Sequence, residues 1–299
     1  MKKTKLLYNP MSGNRSFIKE LDSIIKKLQK EGYVVELYRS MAPEDIQTGI
    51  ENIKKNEYDN IIVAGGDGSL SQVINAMKKR EINIPLAVLP AGTANDIASH
   101  LKMPSKFVDC IDILKNKKLD NLDLAKIDNN YFINVFFLGE FSNIPEETPE
   151  EFKTFFGKLA YYINGIKELP RLKPIPLRIQ SETRLIEEEL LFLIIINSKQ
   201  AGGFKKLCPP AELNDGLLDF IGIKYRGLHK LPALFMQILQ GEHLTNPDII
   251  YFQDKYFEIE YLDSVKKNYY SDIDGERGPQ LPLTINVEHH AIKMYTNFK

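Results

Sequence analysis

Three short segments combine glycine with hydroxyl, amide or carboxylate side chains, and they have the clearest chemical potential in the sequence. They are Asn9-Pro10-Met11-Ser12-Gly13, Gly65-Gly66-Asp67-Gly68-Ser69 and Pro90-Ala91-Gly92-Thr93-Ala94-Asn95-Asp96. Glycine lets the backbone approach a ligand closely, and the free N–H groups at the start of a helix suit phosphate. The three segments together therefore predict a phosphate-binding site, although any one of them could be an ordinary tight turn built from the same residue types.

The aspartates in the second and third segments narrow the predicted chemistry. No Gly-Lys-Ser or Gly-Lys-Thr follows the glycines, and the G-x-G-x-x-G spacing is missing, so neither a P-loop nor a dinucleotide fingerprint is present. A carboxylate aimed at bound phosphates repels them unless Mg²⁺ lies between them or a substrate hydroxyl must lose its proton. Asp67 and Asp96 therefore favour phosphoryl transfer over passive nucleotide binding.

The elements around these segments alternate between strand and helix patterns through residue 125. The apolar run Ile61–Ala64 is typical of a buried parallel strand, and Leu70, Val73, Ile74 and Met77 share one face of the helix that follows. Repeated strand–helix units predict a Rossmann-like parallel sheet, whose strand-to-helix loops meet at one edge. The fold class we expect is thus α/β over residues 1–125, followed by a second domain.

Residues 126–299 contain mostly strand patterns, which predict an antiparallel β-sandwich domain whose last strand can return to the first domain. Asp128-Asn129-Asn130 separates two apolar runs as a hairpin turn would, and Leu190–Ile196 is a continuous apolar run. Helical spacing interrupts the strands at Phe155–Leu169 and at His229–Gln240. The boundary between the α/β and β-rich domains therefore falls near residue 125.

Composition excludes several classes of protein. The 299 residues are 43% hydrophobic and 26% charged, with 39 basic and 40 acidic residues, so the net charge of −1 gives no global field for nucleic acid. The longest apolar run has seven residues, Leu190–Ile196, and the apolar part of the start, Leu6–Tyr8, is too short for a signal-peptide core. Two distant cysteines fit a reducing compartment. We therefore expect a cytoplasmic protein with no transmembrane segment and no nucleic-acid partner.

The motifs, taken in order, resemble those of the diacylglycerol kinase catalytic-domain family, in particular its soluble bacterial lipid kinases. The matching motifs are Asn-Pro-x-Ser-Gly, Gly-Gly-Asp-Gly-Ser and Pro-x-Gly-Thr-x-Asn-Asp in the first half, then Asn214-Asp215-Gly216-Leu217 and Asp274-Gly275-Glu276 in the second. The resemblance implies an ATP-binding first domain, a lipid-binding second domain, and transfer of the γ-phosphate to a lipid hydroxyl, with diacylglycerol as the leading substrate. It also implies ATP and Mg²⁺ as cofactors and a role in phospholipid metabolism.

The resemblance also assigns a nucleotide site at the edge formed by the three segments. The residues it implies for ATP are Asn9, Pro10, Met11, Ser12, Gly13, Ser40, Gly65, Gly66, Asp67, Gly68, Ser69, Leu70, Ser71, Gln72, Gly92, Thr93 and Asn95.

Metal and proton-transfer roles follow from the same resemblance. Asp67, Asp96 and Asp123 would hold the catalytic Mg²⁺, partly through water, and Glu276 would be the general base. A structural Mg²⁺ would lie near Glu212, Asp215 and Leu217, partly on backbone carbonyls. Judged from the sequence alone, an aspartate in a Leu-Asn-Asp-Gly-Leu turn such as Asp215 is more often one without a bound metal.

Several alternatives remain open at this stage. Ser71-Gln72 stand where relatives usually carry Asn-Glu, so the usual carboxylate is missing. For this reason a nucleotide sensor without catalytic activity remains an alternative. An NAD kinase or a sphingoid-base kinase could use the same scaffold, and Asp67 could replace Glu276 as the base. The five histidines lack the HExxH spacing of a zinc site, and His289 and His290 are expected at the surface. We also expect transient contact with the membrane surface and consider a homodimer possible.

Overall fold

The computed structural model describes residues 2–42, 45–54, 57–116, 118–139, 173–262 and 270–298 of the chain. The chain forms two compact units. The first comprises Met1–Leu122 together with His290–Lys299, and the second comprises Asp123–His289. The helix predicted at Phe155–Leu169 lies outside the described residues.

Strands and helices alternate along the first unit, as the sequence predicts. In chain order these elements are β1 (Lys2–Tyr8), α1 (Ser16–Lys30), β2 (Tyr33–Arg39), α2 (Thr48–Glu51), β3 (Asn60–Gly65), α3 (Asp67–Lys79), β4 (Leu86–Pro90), α4 (Asp96–His100) and α5 (Phe107–Asn116).

The strands of the first unit form a parallel sheet in the order β4-β3-β1-β2. Every residue of β3 is buried, and α3 buries Leu70, Val73, Ile74 and Met77 in agreement with the predicted helix face. In a parallel sheet all strands end at the same edge, so the loops after β1, β2, β3 and β4 lie side by side. The predicted α/β fold is therefore confirmed for this part of the chain.

Antiparallel strands and one long helix make up the described part of the second unit. The elements that follow α5 are β5 (Leu119–Ile127), β6 (Asn130–Phe132), β7 (Val135–Gly139), β8 (Ile175–Ser181), β9 (Leu185–Ile196), β10 (Leu218–Lys224), α6 (Leu231–Gln240), β11 (Ile249–Asp254), β12 (Tyr256–Tyr261), β13 (Tyr270–Ile273), β14 (Glu276–Gln280) and β15 (Leu283–Tyr295). β5 begins in the first unit, and β15 returns to it from His290 onward.

The pairings within the second unit confirm the predicted antiparallel class. The order is β14-β13-β7-β9-β8-β12-β15, and β10 pairs with both β9 and β11. β5 and β6 form the hairpin that Asp128-Asn129-Asn130 predicts, with Ala125 opposite Phe132. All of these neighbouring pairs are antiparallel.

The continuous apolar run in β9 arises because both of its faces are covered. Leu190, Leu193 and Ile195 belong to a hydrophobic cluster that includes Phe220 and Phe257. Leu191, Ile194 and Ile196 belong to a second cluster, into which α6 inserts Leu234 and Ile238. Since side chains alternate along a strand, only a sheet with two covered faces gives an unbroken apolar run.

Candidate active site

The first predicted loop is a tight turn that packs against the loop after β4. Asn9 follows the end of β1, and its side-chain Oδ1 accepts a hydrogen bond of 2.9 Å from the Met11 N–H. Gly13 has a φ of 51°, and a Cβ at this position would lie 2.5 Å from the Ala91 carbonyl oxygen. Glycine is therefore required here both by the backbone conformation and by the neighbouring loop.

The second and third loops touch through their glycines. A Cβ on Gly92 would lie 2.3 Å from the Gly66 Cα and 2.9 Å from the Asn95 Oδ1. Asn95 fixes the third loop from within, because its side chain accepts from the Gly92 N–H and donates to the Gly92 carbonyl, each at 2.8 Å. The three glycine-containing loops thus form one connected surface at the carboxyl edge of the sheet.

Asp67 links the second loop to the third. It is the first residue of α3, and its carboxylate accepts hydrogen bonds from the Asp96 N–H at 3.0 Å and the Ile97 N–H at 3.1 Å. These N–H groups begin α4 and have no partner within that helix. Burial raises the pKa of Asp67, while the same N–H groups act in the opposite direction. Asp96 is itself buried and is the first residue of α4, so each of the two aspartates begins a helix directly after its glycine-containing loop.

Among the remaining nucleotide residues, most lie at this edge, but one belongs to the core. Ser40 follows β2 and is buried, and its hydroxyl has no hydrogen-bond partner in the described part of the chain. Ser69, Ser71 and Gln72 occupy the first turns of α3. The Leu70 side chain is buried in the core, as its helical spacing predicts, and its N–H bonds to the Gly66 carbonyl. Its assignment as a nucleotide residue stays a prediction.

This contact between glycines leads to a prediction for Gly92→Ala. The added methyl group would meet the Gly66 backbone, which cannot move aside as a flexible side chain can. We expect a melting temperature several degrees lower and a loss of ATP binding, measured by thermal unfolding and by calorimetry.

Gly68→Ala is the matched control for the stability measurement, because a Cβ at Gly68 meets nothing within 4 Å. Gly68 lies in the first turn of α3, where alanine is well tolerated. Equal melting temperatures for the two variants would contradict the proposed role of the Gly92–Gly66 contact.

In the second unit, the buried residue Asp123 is tied to the turn that contains Asp215. Its Oδ2 accepts from the Gly216 N–H at 2.7 Å, and its own N–H donates to the Leu213 carbonyl at 2.7 Å. Its Oδ1 lies 2.8 Å from the Nδ1 of His289. Because Asp67 and Asp96 belong to the first unit, the predicted grouping of Asp123 with them stays a prediction.

His289 lies against the Asp123 carboxylate, a contact that sequence reasoning missed. It is half-exposed at the surface, as expected, but it forms an ion pair with Asp123 whenever its ring is protonated. A Cβ on Gly216, which has a φ of 75°, would lie 3.1 Å from the His289 Nδ1. No local pattern reveals this contact, because 166 residues separate His289 from Asp123.

The turn around Asp215 offers oxygen ligands of the kind that Mg²⁺ prefers. Asp215 is exposed, and one carboxylate oxygen accepts from the Leu217 N–H at 3.0 Å. Glu212 is also exposed and forms an ion pair with Lys199 at 2.8 Å. Partial burial, the main cause, and the charges of Asp123 and Glu212 raise the pKa of Asp215. A cation at this turn would relieve that clustering of negative charge, so the residues fit the predicted metal.

Glu276 lies immediately after a two-residue hairpin turn. Asp274 and Gly275 have φ values of 52° and 90°, as a type I′ turn requires, and Ile273 pairs with Glu276 across it. The Asp274 carboxylate accepts from the N–H groups of Ile133, Asn134 and Val135 at 3.1, 3.1 and 2.9 Å. Glu276 is exposed at the start of β14, held in place by a turn that Asp274 anchors.

A buried asparagine at the end of β9 joins these two parts of the second unit. The Asn197 side-chain amide donates to the carbonyls of Asp123 at 2.9 Å and Ile133 at 3.1 Å. Ile133 also donates its N–H to Asp274. Asn197 was missed by sequence reasoning, although a polar residue directly after the apolar run Leu190–Ile196 is the signal that could have found it.

Comparisons with known proteins identify the family to which these loops and carboxylates belong. Residues 3–127 match the diacylglycerol kinase catalytic domain. Residues 143–296 match the YegS C-terminal NAD kinase beta sandwich-like domain. A diacylglycerol kinase of Staphylococcus epidermidis is 34% identical over 99% of this chain and 92% of its own length. One from Staphylococcus haemolyticus is 33% identical over 96% of this chain and 86% of its own length.

Solved structures agree at the level of the fold. A putative diacylglycerol kinase from Bacillus anthracis str. Sterne superposes with a TM-score of 0.85 at 23% identity, covering 99% of this chain and 95% of that one. The chain therefore belongs to the diacylglycerol kinase family. Its similarity to these relatives supports a lipid kinase as the class of protein. None of the described helices is both long and apolar enough to cross a bilayer.

Proposed function

We propose that this protein transfers the γ-phosphate of ATP to the hydroxyl group of diacylglycerol, which gives phosphatidic acid. One observation carries the proposal: Asp67 joins the glycine loop after β3 to the start of α4, at an edge where three glycine-containing loops touch. A site built mainly from backbone N–H groups and carboxylates suits phosphoryl transfer, which depends on positioning and on neutralising charge.

The nucleotide would bind on the loops of the first unit. The N–H groups at the start of α3 and the glycine backbones of the second and third loops give close access to its phosphates. Ser12 and Thr93 add hydroxyl groups from the neighbouring loops. The buried hydroxyl of Ser40, which lacks a partner, is a further donor at the same edge.

Asp67, Asp96 and Asp123 would hold the catalytic Mg²⁺. Bound there, Mg²⁺ would neutralise the charge that develops on the transferred phosphoryl group. Asp67 already accepts two backbone N–H bonds, and both oxygens of Asp123 have partners, so contact through water is the geometry these carboxylates favour. The part of each carboxylate would be to supply negative charge from a position that its hydrogen bonds hold fixed.

Glu276 would accept the proton of the lipid hydroxyl. Its exposed position at the start of β14 leaves it accessible to a substrate, and the anchored turn before it restricts its movement. A general base must reach the hydroxyl within hydrogen-bond distance, which requires this kind of fixed backbone. Asp67 is the alternative base, although its carboxylate already accepts two N–H bonds.

The structural Mg²⁺ proposed at Glu212, Asp215 and Leu217 gives a prediction that does not depend on activity. Without ATP, saturating Mg²⁺ should raise the melting temperature of the wild-type protein by about 2 °C or more. Asp215→Asn removes a negative ligand and should abolish most of that increase. Scanning calorimetry with and without Mg²⁺ measures both values.

Asp128→Asn is the control for this measurement. Asp128 is also an exposed aspartate in a turn of the second unit, and its φ of 51° is one that asparagine adopts readily. This variant should keep the full Mg²⁺ effect. An increase in Asp215→Asn as large as in the wild type would place the stabilising metal elsewhere.

In the decisive experiment for the proposed function, the purified protein is incubated with ATP, Mg²⁺ and each of diacylglycerol, sphingosine and NAD. Mass spectrometry then identifies the phosphorylated product. We expect phosphatidic acid as the product. Phosphorylated sphingosine or NADP would identify one of the other kinases, and ATP binding without transfer to any lipid of a membrane extract would indicate a nucleotide sensor. The cytoplasmic location, the homodimer and the assignment of ATP and lipid to separate domains stay predictions.

A further inference from the structure

Helix α6 has an outer face that is unusual for a surface helix, because it carries no charged residue. All ten residues of α6 are uncharged, and only Leu234 and Ile238 are buried. Pro232, Met236 and Leu239 follow one another at helical spacing on the outer side. Met236 is 53% exposed and Leu239 49%. The outer face of a surface helix in a soluble protein usually carries charged side chains. The uncharged outer face of α6 is therefore suited to an apolar environment.

Cationic side chains lie at both ends of α6. At its C-terminal end, Lys206 donates to the Gln240 carbonyl at 3.3 Å, and Lys205 beside it is exposed. The loop that carries these lysines packs against α6 through Phe204 and Phe235, whose ring centres are 5.6 Å apart. At the N-terminal end, Lys230 precedes the helix, and the first turn contains no acidic residue.

The basic N-terminal end is electrostatically unfavourable for the helix itself. Cations near a helix N-terminus oppose the macrodipole, and natural helices usually place acidic residues there. The ion pair of Lys230 with Asp248 at 2.9 Å offsets part of this cost and keeps the cation at the end of the helix.

A cavity of about 390 Å³ opens beside this end of α6. Its lining includes three cationic residues and one acidic residue, together with apolar side chains: Lys224, Arg226, Lys230, Asp248, Leu231 and Leu234. The volume lies within the range of about 300–1,000 Å³ that small-ligand sites occupy. Cationic and apolar side chains around one cavity match the chemistry of an anionic phospholipid headgroup and the start of its acyl chains.

The acidic residues nearby leave a surplus of positive charge. Asp248 pairs with Lys230 at 2.9 Å and lies 3.9 Å from Arg226, which also approaches Glu188. Glu242, just after α6, is exposed. Against these three acidic residues stand five cationic ones: Lys205, Lys206, Lys224, Arg226 and Lys230. The region is thus net positive, although the whole chain has a net charge of −1.

We propose that the outer face of α6, together with Lys205 and Lys206, is the surface through which this protein docks on a bilayer containing anionic phospholipid. Met236 and Leu239 would enter the boundary between headgroups and acyl chains, while the lysines contact lipid phosphates. The proposed function supplies the reason to visit a bilayer, since diacylglycerol resides there. Docking itself requires neither ATP nor catalysis, so it can be tested separately.

The test measures sedimentation of the full chain with vesicles of phosphatidylcholine alone or mixed with phosphatidylglycerol, without ATP. Wild-type protein should bind the mixed vesicles and release them at high salt. Met236→Ser with Leu239→Ser should weaken binding about tenfold. Lys205→Ala with Lys206→Ala should weaken it about tenfold or more at low salt and have little effect at high salt.

Two variants elsewhere on the second unit are the matched controls. Leu185→Ser changes an aliphatic residue that is 59% exposed on β9, and Lys255→Ala removes an exposed lysine between β11 and β12. Both should bind vesicles like the wild type. Unchanged melting temperatures for all variants would show that they fold, as their exposure predicts.

The outcomes separate this proposal from the proposed function. In non-ionic detergent micelles the α6 variants should keep wild-type kinase activity, while activity on anionic vesicles falls. If the protein bound vesicles through α6 but phosphorylated no lipid, the proposed function would be refuted and the docking proposal would be supported. The docking proposal would be overturned if the α6 variants bound vesicles as tightly as the wild type. It would also be overturned if these variants changed their oligomeric state while their vesicle binding stayed unchanged.

Discussion

Asp67→Ala is expected to lower the rate of phosphoryl transfer by about 10³-fold or more. The substitution removes negative charge from the proposed Mg²⁺ site and leaves the N–H groups of Asp96 and Ile97 without their acceptor. Each buried donor left unpaired costs about 1–3 kcal/mol, so the start of α4 should also loosen. Asp67→Asn should behave similarly, because its amide has one acceptor oxygen in place of two.

Asp59→Asn is the control that separates catalysis from stability. Asp59 also lies in the first unit, and its carboxylate accepts a backbone N–H, that of Lys3, at 2.6 Å. It is not part of the glycine loops, so its loss should leave phosphoryl transfer close to the wild-type rate. Activity of Asp67→Ala within tenfold of the wild type would be incompatible with a central role for Asp67.

Glu276→Gln is expected to reduce turnover by about 10²–10⁴-fold while ATP binding stays unchanged. Glutamine keeps the size of the side chain but cannot accept the proton of the lipid hydroxyl. Steady-state kinetics with diacylglycerol and calorimetry with ATP measure the two effects separately. Turnover equal to the wild type would remove Glu276 as the base and leave Asp67 as the candidate.

Asp274 provides a second variant at the same turn. Asp274→Asn weakens the three N–H contacts that anchor the turn, so it should lower turnover less than Glu276→Gln and also reduce stability. Glu258→Gln is the control, because Glu258 is an exposed glutamate on β12 of the same unit. Turnover of Asp274→Asn equal to that of the wild type would show that the anchor does not position Glu276.

Sequence patterns were sufficient for the first unit because its signals are local. Each loop directly follows a short apolar strand, and parallel strands necessarily end at one edge, so the convergence of the three loops could be predicted. The apolar spacing within α3 was equally direct, and it correctly identified Leu70 as a core residue. The assignment of Leu70 as a nucleotide contact comes from the motif as a whole and stays a prediction.

The second unit shows where local patterns stop being informative. The turn at Asp274-Gly275 could be predicted, because Asp-Gly is a strong hairpin signal. Its anchoring to residues 133–135 could not, because about 140 positions separate the partners along the chain. The same is true of Asp123 with Gly216 and His289, which come together only when β5, the 213–217 turn and β15 are in place.

The sequence by itself determined the class of fold, the three glycine-containing loops and the family, because these depend on residues that are neighbours along the chain. Tertiary structure decided which side chains each carboxylate contacts: Asp67 with the start of α4, Asp123 with Gly216 and His289, and Asp274 with the segment before β7. It also leaves Met236 and Leu239 on the outer face of α6 exposed in the described part of the chain. Such contacts require distant segments to pack together, and spacing along one segment does not specify which partners pack.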